Sequence, residues 1–194
     1  MGQYAAMASL NIIHGGQASS GAPVHHIGRR ADDSYTLVDG ETPRWGITID
    51  WGERASLPFR EQLVWPAAGV AVIGGGCAVY FLDLETATIR LRVPMDGYFG
   101  HLAIDREHAP DGTLFLLGCT EVIAYRTSLD VRWHAKDIAV DGVVFDRIEG
   151  SRLWVKAEMD PPDRWYAVEI NVHTGKEISR QPSFSPEDLT LKTT

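Results

Sequence analysis

From Tyr35 onward the chain is written in short runs of Val, Ile, Leu, Trp, Tyr and Phe, broken by Gly, Asp, Asn and Pro every eight to twelve residues. Runs this short, rich in β-branched and aromatic side chains, predict a meander of antiparallel strands. The clearest alternation puts Trp45, Ile47, Ile49 and Trp51 on one face and Gly46, Thr48 and Asp50 on the other, a strand half buried by two indoles. Residues 1–34 are rich in Gly, Ala, Ser and His without helical or strand periodicity, and are expected as a loosely ordered N-terminal arm. The best helical signal, Pro186-Glu187-Asp188-Leu189 with Ser185 as N-cap, predicts one turn in a C-terminal tail over residues 183–194.

The runs recur. Val70-Ala71-Val72-Ile73, Thr113-Leu114-Phe115-Leu116 and Arg152-Leu153-Trp154-Val155 are each a short strand, about 40 residues apart. Each is followed by a second strand (Ala78 to Leu82, Glu121 to Tyr125, Arg164 to Val168) and, after a polar turn, by a third (Thr88 to Val93, Asp130 to His134, Lys176 to Ser179). Opening strands precede two of them, at His101 to Asp105 and Gly142 to Asp146. Four strands in this period is the signature of a propeller blade. The expected fold is therefore all-β, with antiparallel four-stranded blades over residues 35–182 forming a partial or small β-propeller. Three units, four with the Trp45 to Trp51 hairpin, fall at or below the usual minimum for ring closure. Lateral blade faces should then be covered by the arm, by a second copy in a homodimer, or by a partner, since an uncovered blade is both an edge and a sticky face.

The stretch VAVIGGGCAVYFLDLETATIRL, Val70 to Leu91, resembles one unit of the quinoprotein-type, or PQQ-like, β-propeller repeat. That repeat runs strand, Gly-rich turn, a second strand ending in Leu-Asp, then Thr-Gly-Lys and a third strand. Asp83 and Thr86 match it, Ala87 and Thr88 stand where Gly and Lys are usual, and Leu91 replaces the docking Trp. The last unit keeps Thr174-Gly175-Lys176, with Glu169 read in the Asp place and two extra residues in the turn. The middle unit keeps the strand pattern and Trp133, and the resemblance spans about residues 60–180. Bound PQQ is not expected, because it needs a closed ring and a metal-assisted funnel; no cofactor is assigned.

Composition narrows the partners. With 44% apolar and 23% charged residues the chain is globular, and Lys plus Arg at 18 against Asp plus Glu at 26 leaves a net charge of −8. That balance argues against nucleic acid and anionic membrane, which reward a surplus of cations, and favours a basic protein partner. No apolar run approaches a membrane span, and no Lys or Arg precedes the short apolar run in MGQYAAMASLNIIHGG, so a cytoplasmic location is expected. Two cysteines, Cys77 and Cys119, are too few for a disulfide framework and lack metal-ligand spacing.

Several patterns could carry chemistry. Val70 to Gly76 opens like a dinucleotide fingerprint, but Val79 falls on the third Gly and a strand-forming run follows, so a tight inter-strand turn is expected. His14, His25 and His26 have only Asp32 and Asp33 as acidic neighbours, which does not make a metal site. His101 and Asp105 share a strand face and give the alternative function, a small hydrolase or lyase with a general base and its orienting carboxylate; Asp130 and His134 repeat the spacing. No Gly-x-Ser-x-Gly elbow is present. Glu158, Asp160 and Asp163 surround Pro161-Pro162, with Arg164 beyond, as a solvated turn or contact surface. Trp and Arg, the residue types of binding hot spots, adjoin at Arg44-Trp45, Arg132-Trp133 and Arg164-Trp165, and Arg152 lies near Trp154. The expected binding residues are Arg44, Trp45, Arg132, Trp133, Glu158, Asp160, Asp163, Arg164 and Trp165, and the expected function is a non-catalytic protein-binding module of the kind that includes immunity-type inhibitors of basic toxin enzymes.

Overall fold

The Gly, Asp and Asn breaks become turns and the apolar runs between them become strands. The computed structural model describes residues 10–15, 21–105, 112–161 and 164–184. Among these the chain is all-β, with four four-stranded sheets and no α-helix. It divides into two compact units, residues 1–94 and 95–194, so a boundary falls inside the stretch read as one repeat domain over 35–182. The first unit holds β1 (Leu10–His14), β2 (Val24–Ile27), β3 (Asp33–Asp39) and β4 (Thr42–Ile49) in one sheet, and β5 (Arg60–Trp65), β6 (Val70–Gly75), β7 (Ala78–Asp83) and β8 (Ile89–Pro94) in the other. The second unit holds β9 (Phe99–Asp105), β10 (Thr113–Gly118), β11 (Val122–Tyr125) and β12 (Val131–Ala135), then β13 (Val143–Glu149), β14 (Arg152–Asp160), β15 (Arg164–Asn171) and β16 (Glu177–Ser183).

Three of the sheets are sequential antiparallel meanders; the first has the order β1-β3-β4-β2. Two pieces of the expected N-terminal arm are thus strands of a blade, which corrects that reading. β1 pairs antiparallel with β3, setting Ile12 opposite Leu37, and Ile12 is buried while Ile13 and His14 are exposed. Val24–Ile27 lies parallel to β4. Both segments are too short for periodicity to reveal, and each is held by pairing with a long central strand. β5 was likewise invisible to pattern, because its polar opening residues Arg60, Glu61 and Gln62 mask the apolar end Leu63-Val64-Trp65. The predicted turn at Pro186 to Leu189 lies outside the described residues.

Register shows which positions correspond. Leu37 faces Trp45, Phe81 faces Leu91, Ala124 faces Trp133 and Glu169 faces Ser179, so β4, β8, β12 and β16 are equivalent strands. The first sheet therefore lacks a counterpart of β5, β9 and β13 and gains β2 beyond β4. Trp45 and Trp133 each send the indole N–H to a backbone carbonyl of the neighbouring sheet in their own unit, Leu84 at 2.9 Å and Val172 at 2.8 Å. Each indole sits in a core cluster shared by the two sheets of its unit.

The turns that supply those carbonyls are also equivalent. Asp83 Oδ1 accepts the backbone N–H groups of Glu85 and Thr86, both at 3.0 Å, and Asn171 Oδ1 accepts those of His173 and Thr174 at 2.9 and 3.1 Å. The backbone closes the same way, Ala87 N–H to Asp83 O and Gly175 N–H to Asn171 O. Asn171, not Glu169, holds the Asp place of the last unit, and its turn has no extra residues. The fifth turn residue is left-handed in both, Ala87 at φ +56° and Gly175 at φ +71°. A Cβ on Gly175 would fall 2.6 Å from Trp133 Cδ2, so strain and collision coincide there. Gly175→Ala should cost at least ~2 kcal/mol, combining a left-handed alanine with displacement of a docked indole. Ala87→Gly, which relieves the same strain while deleting one buried methyl, should stay within ~1 kcal/mol of the parent. Urea unfolding followed by tryptophan fluorescence separates the two outcomes.

Candidate functional site

The Trp and Arg positions singled out from sequence divide into two groups. Trp45 and Trp133 are 1% and 8% exposed with their N–H groups already bonded, so both leave the expected binding set as blade-packing residues. Their arginine neighbours serve the scaffold: Arg44 pairs with Asp39 at 3.8 Å and Glu85 at 3.5 Å, and Arg132 reaches Thr113 Oγ1 at 3.1 Å and His173 Nδ1 at 3.2 Å. Glu158, Asp160, Arg164 and Trp165 do come together, at the β14–β15 connection. Glu158 stands opposite Trp165 in the ladder, and Asp160 meets Arg164 at 3.3 Å. Asp163 lies outside the described residues.

Neither His–Asp spacing makes a dyad. His101 and Asp105 share one face of β9, but four residues of extended chain separate them by about 13 Å, far beyond hydrogen-bonding reach. Asp130 takes Ser128 Oγ at 2.8 Å, while His134 turns to Glu121 at 2.5 Å. Gly74 and Gly75 are the last residues of β6, paired with Val79 and Ala78, and the inter-strand turn itself is Gly76 and Cys77. Among the described residues no three His, Cys, Asp or Glu side chains converge as metal ligands.

One end of the second unit gathers acid. The starts of β9, β11, β13 and β15 and the ends of β10, β12 and β14 bring together the loops 95–98, 119–121 and 136–142 with residues 158–160. Backbone bonds lace them: Cys119 N–H to Tyr98 O at 3.0 Å, Gly142 N–H to Cys119 O at 2.7 Å, and Val140 N–H to Glu158 O at 2.8 Å. The carboxylates of this rim are Asp96, Glu121, Asp137, Asp141, Glu158 and Asp160, against Lys136 and Arg164. The charge of the chain is itself uneven. Residues 1–94 hold seven arginines against nine carboxylates, residues 95–194 eleven cations against seventeen.

Glu121 and Asp141 anchor the rim. Glu121 is 5% exposed, accepting the Asp96 N–H at 2.9 Å on one oxygen and His134 on the other. The Tyr98 hydroxyl donates to the Asp141 carbonyl at 3.1 Å and lies 3.3 Å from its Oδ1, and the Cys119 thiol lies 3.6 Å from the same oxygen. Burial first, and then the charge of Asp141, pushes the Cys119 thiol up to about 11; burial with the Cys119 and Asp141 charges likewise raises the Tyr98 phenol. Both groups stay protonated at neutral pH and serve as donors beside Asp141, which makes Cys119 a poor nucleophile. Gly142 passes between Tyr98 and Trp165: a Cβ there would lie 3.1 Å from Tyr98 Oη and 3.9 Å from Trp165 Cη2. The rim thus offers carboxylates beside two half-buried aromatic rings and the exposed Val140, the chemistry of a contact surface. Sequence pointed to Glu158, Asp160 and Trp165; Tyr98, Glu121 and Asp141 are far from them in the chain and join them only through the ladder.

In the first unit a second polar cluster is consumed by the fold. Asp33 receives Arg60 Nε and Trp51 Nε1 on one oxygen, both at 2.6 Å, and contacts His14 Nε2 at 3.0 Å on the other. Arg60 also donates to the carbonyls of Ala55, Leu57 and Phe59. Burial raises the Asp33 carboxyl, but the hydrogen bonds from Arg60, His14 and Trp51 outweigh it and hold it below the ordinary value.

No family model matches the chain, and no curated protein does. Among solved structures it is similar to a chain of Kuenenia stuttgartiensis hydrazine synthase, with a TM-score of 0.55 and 14% identity over 78% of this chain. The present chain spans 43% of that one. This likeness supports the all-β, blade-built fold and goes no further. No helix among the described residues is long and apolar enough to cross a membrane.

A carboxylate with a lowered folded pKa stabilises above its unfolded value and loses that contribution as pH falls through the folded one. Asp33→Asn should therefore cost about 2 kcal/mol at pH 7, the worth of hydrogen bonds to a charged group. The deficit should shrink toward zero as the parent is titrated below the ordinary carboxylate pKa of 3.8, which urea unfolding at a series of acid pH values measures.

Proposed function

We propose that this protein is a non-catalytic binding module whose acidic rim, on residues 95–184, holds a basic protein partner. The observation that carries this reading is the gathering of Asp96, Asp137, Asp141, Glu158 and Asp160 at one end of one unit, beside Tyr98 and Trp165. Like charges held close repel one another, so a fold that keeps them together on adjoining loops and the end of β14 sacrifices stability for an electrostatic surface. Such a surface speeds encounter with an oppositely charged partner, and the flanking rings supply anchors that charge alone does not. Within this class the chain acts as an immunity-type inhibitor that neutralises a basic toxin enzyme, a role consistent with a small acidic β protein. The blades belong with the quinoprotein-type repeat in this reading, supported by the side-chain-capped turns at Asp83 and Asn171 and by the docked Trp133.

Co-purification from the native host at low salt, with mass spectrometry of the companion, tests the proposal. A single stoichiometric basic protein is expected, released by high salt. With that companion in hand, the triple variant Asp137→Asn, Asp141→Asn, Asp160→Asn should associate at least about tenfold more slowly at low salt, with the gap closing as salt rises. Glu85→Gln, on the first unit, should leave the rate unchanged. Recovery of the chain alone, or equal association by the triple variant, overturns the reading.

A further inference from the structure

The exposed acids of the rim stand on separate stretches of chain, and one buried side chain reaches two of them. Glu121 lies in the connection between β10 and β11 and is 5% exposed, out of a partner's reach. One of its oxygens accepts the Asp96 N–H at 2.9 Å and the other meets His134 Nε2 at 2.5 Å. An ionised carboxylate can only accept, so His134 Nε2 carries a proton whether the imidazole is neutral or charged.

Each bond leads into the rim. The first fixes the start of the loop 95–98, whose Tyr98 hydroxyl donates to the Asp141 carbonyl at 3.1 Å. The second fixes the end of β12, just before the chain turns into the loop 136–142 at Asp137, a left-handed residue at φ +58°. The fit around the carboxylate is close. A Cβ on Gly118 would fall 3.3 Å from Glu121 Cγ, and a Cβ on Gly97 would fall 2.8 Å from Cys119 Cβ, so the loop 95–98 rests directly on the β10–β11 connection. Backbone bonds run from this connection to the same loops, Cys119 N–H to Tyr98 O at 3.0 Å and Ile138 N–H to Thr120 O at 2.9 Å. Those bonds hold each loop separately. The carboxylate joins them to each other, because its two oxygens belong to one rigid planar group.

We propose that Glu121 is the positioning residue of the rim: its buried carboxylate couples the loop of Asp96 and Tyr98 to the strand end that leads to Asp137 and Asp141, and so holds the exposed acids in one arrangement for a partner. The partner's side of this inference rests on the binding reading above; the coupling does not. Pre-ordering of this kind lowers the cost of binding and shows in how slowly a complex separates. Encounter is steered by the exposed charges, which Glu121 does not supply.

Hydrogen exchange of the full chain, read by mass spectrometry of its peptides, tests the coupling. In Glu121→Ala the amides of 95–99 and 136–142 should exchange at least about tenfold faster, as expected when hydrogen bonds to a charged group are lost, while those of Leu153 to Ala157 in β14 keep the parent rate. His134→Ala breaks one bond and should quicken both loops to a smaller extent. His134→Gln, whose amide nitrogen stands as many bonds from Cα as His Nε2 and can donate to the same oxygen, should restore the parent rates. Faster exchange confined to the neighbours of residue 121, an equal rise throughout β14, or no restoration by His134→Gln overturns the inference. Should Glu121→Ala not fold, the two His134 variants decide. With the companion protein in hand, Glu121→Ala should associate at the parent rate and dissociate severalfold faster. Dissociation at the parent rate overturns the positioning role and leaves the acidic-rim reading standing, whereas absence of any companion removes that reading, and the exchange rates still decide the coupling.

Discussion

The hydrogen bond from a buried indole to a backbone carbonyl of the next sheet is the constraint on which the rest of each unit depends. Trp45 to Leu84 and Trp133 to Val172 each bridge 39 residues. An indole N–H in such a core has no water to turn to, so its acceptor must arrive at a fixed place, and the turn after Asp83 or Asn171 is what delivers it. The equivalent positions on β8 and β16 are Leu91 and Ser179, which cannot make this bond. Indole therefore alternates with another residue from sheet to sheet, and the tie operates once in each unit. This alternation gives a physical reason for the chain to divide into two compact pairs of sheets instead of four equal blades.

The last sheet shows how the face without a docking indole is treated. On the side of β13–β16 turned away from β9–β12, Arg147 lies 4.7 Å over the Trp154 ring, and Arg152 meets Glu169 at 2.6 Å, whose other oxygen takes Ser179 Oγ at 2.8 Å. Lys156 is 7% exposed on this face and directs Nζ to the Phe184 carbonyl at 3.3 Å. This face carries charge and hydrogen bonding where the opposite face, with Leu153, Val155 and Val168, is apolar core. Ser179 in place of Trp is the local sign of that change.

Legibility in the sequence followed the range of the interaction. Strands β6, β7, β10, β11, β14 and β15 were readable because each apolar run is a local signal, and the face of β4 was readable down to Trp51 because strand alternation is strict. β1 and β2 were not, since what makes them strands is a partner more than a dozen residues away. The same limit moved the Asp place from Glu169 to Asn171: counting along the chain cannot see the irregularity between Glu169 and Ile170 that shifts the register of β15 on β16. His101 and Asp105 failed for a different reason, because sharing a face of a strand says nothing about the distance along it. Trp45 and Trp133 were conspicuous as a residue type, yet an aromatic beside an arginine on a strand is most simply one inward and one outward side chain.

The rim and the core stand in a definite relation. Within the second unit the Trp133 tie and its core cluster involve none of Asp137, Asp141 and Asp160, so neutralising these carboxylates removes repulsion without touching that core. Glu121 is the exception. Its buried carboxylate joins the Asp96 backbone to His134, and stripping its charge would leave polar groups unmatched in a low-dielectric setting. Asp141 lies between these cases, held by a phenol and a thiol whose raised pKa values keep their protons in place. An acceptor fixed by neutral donors has no cation set against it, whereas one fixed by an arginine would. Holding the acid with Tyr98 and Cys119 is therefore what allows the rim to be both ordered and strongly negative.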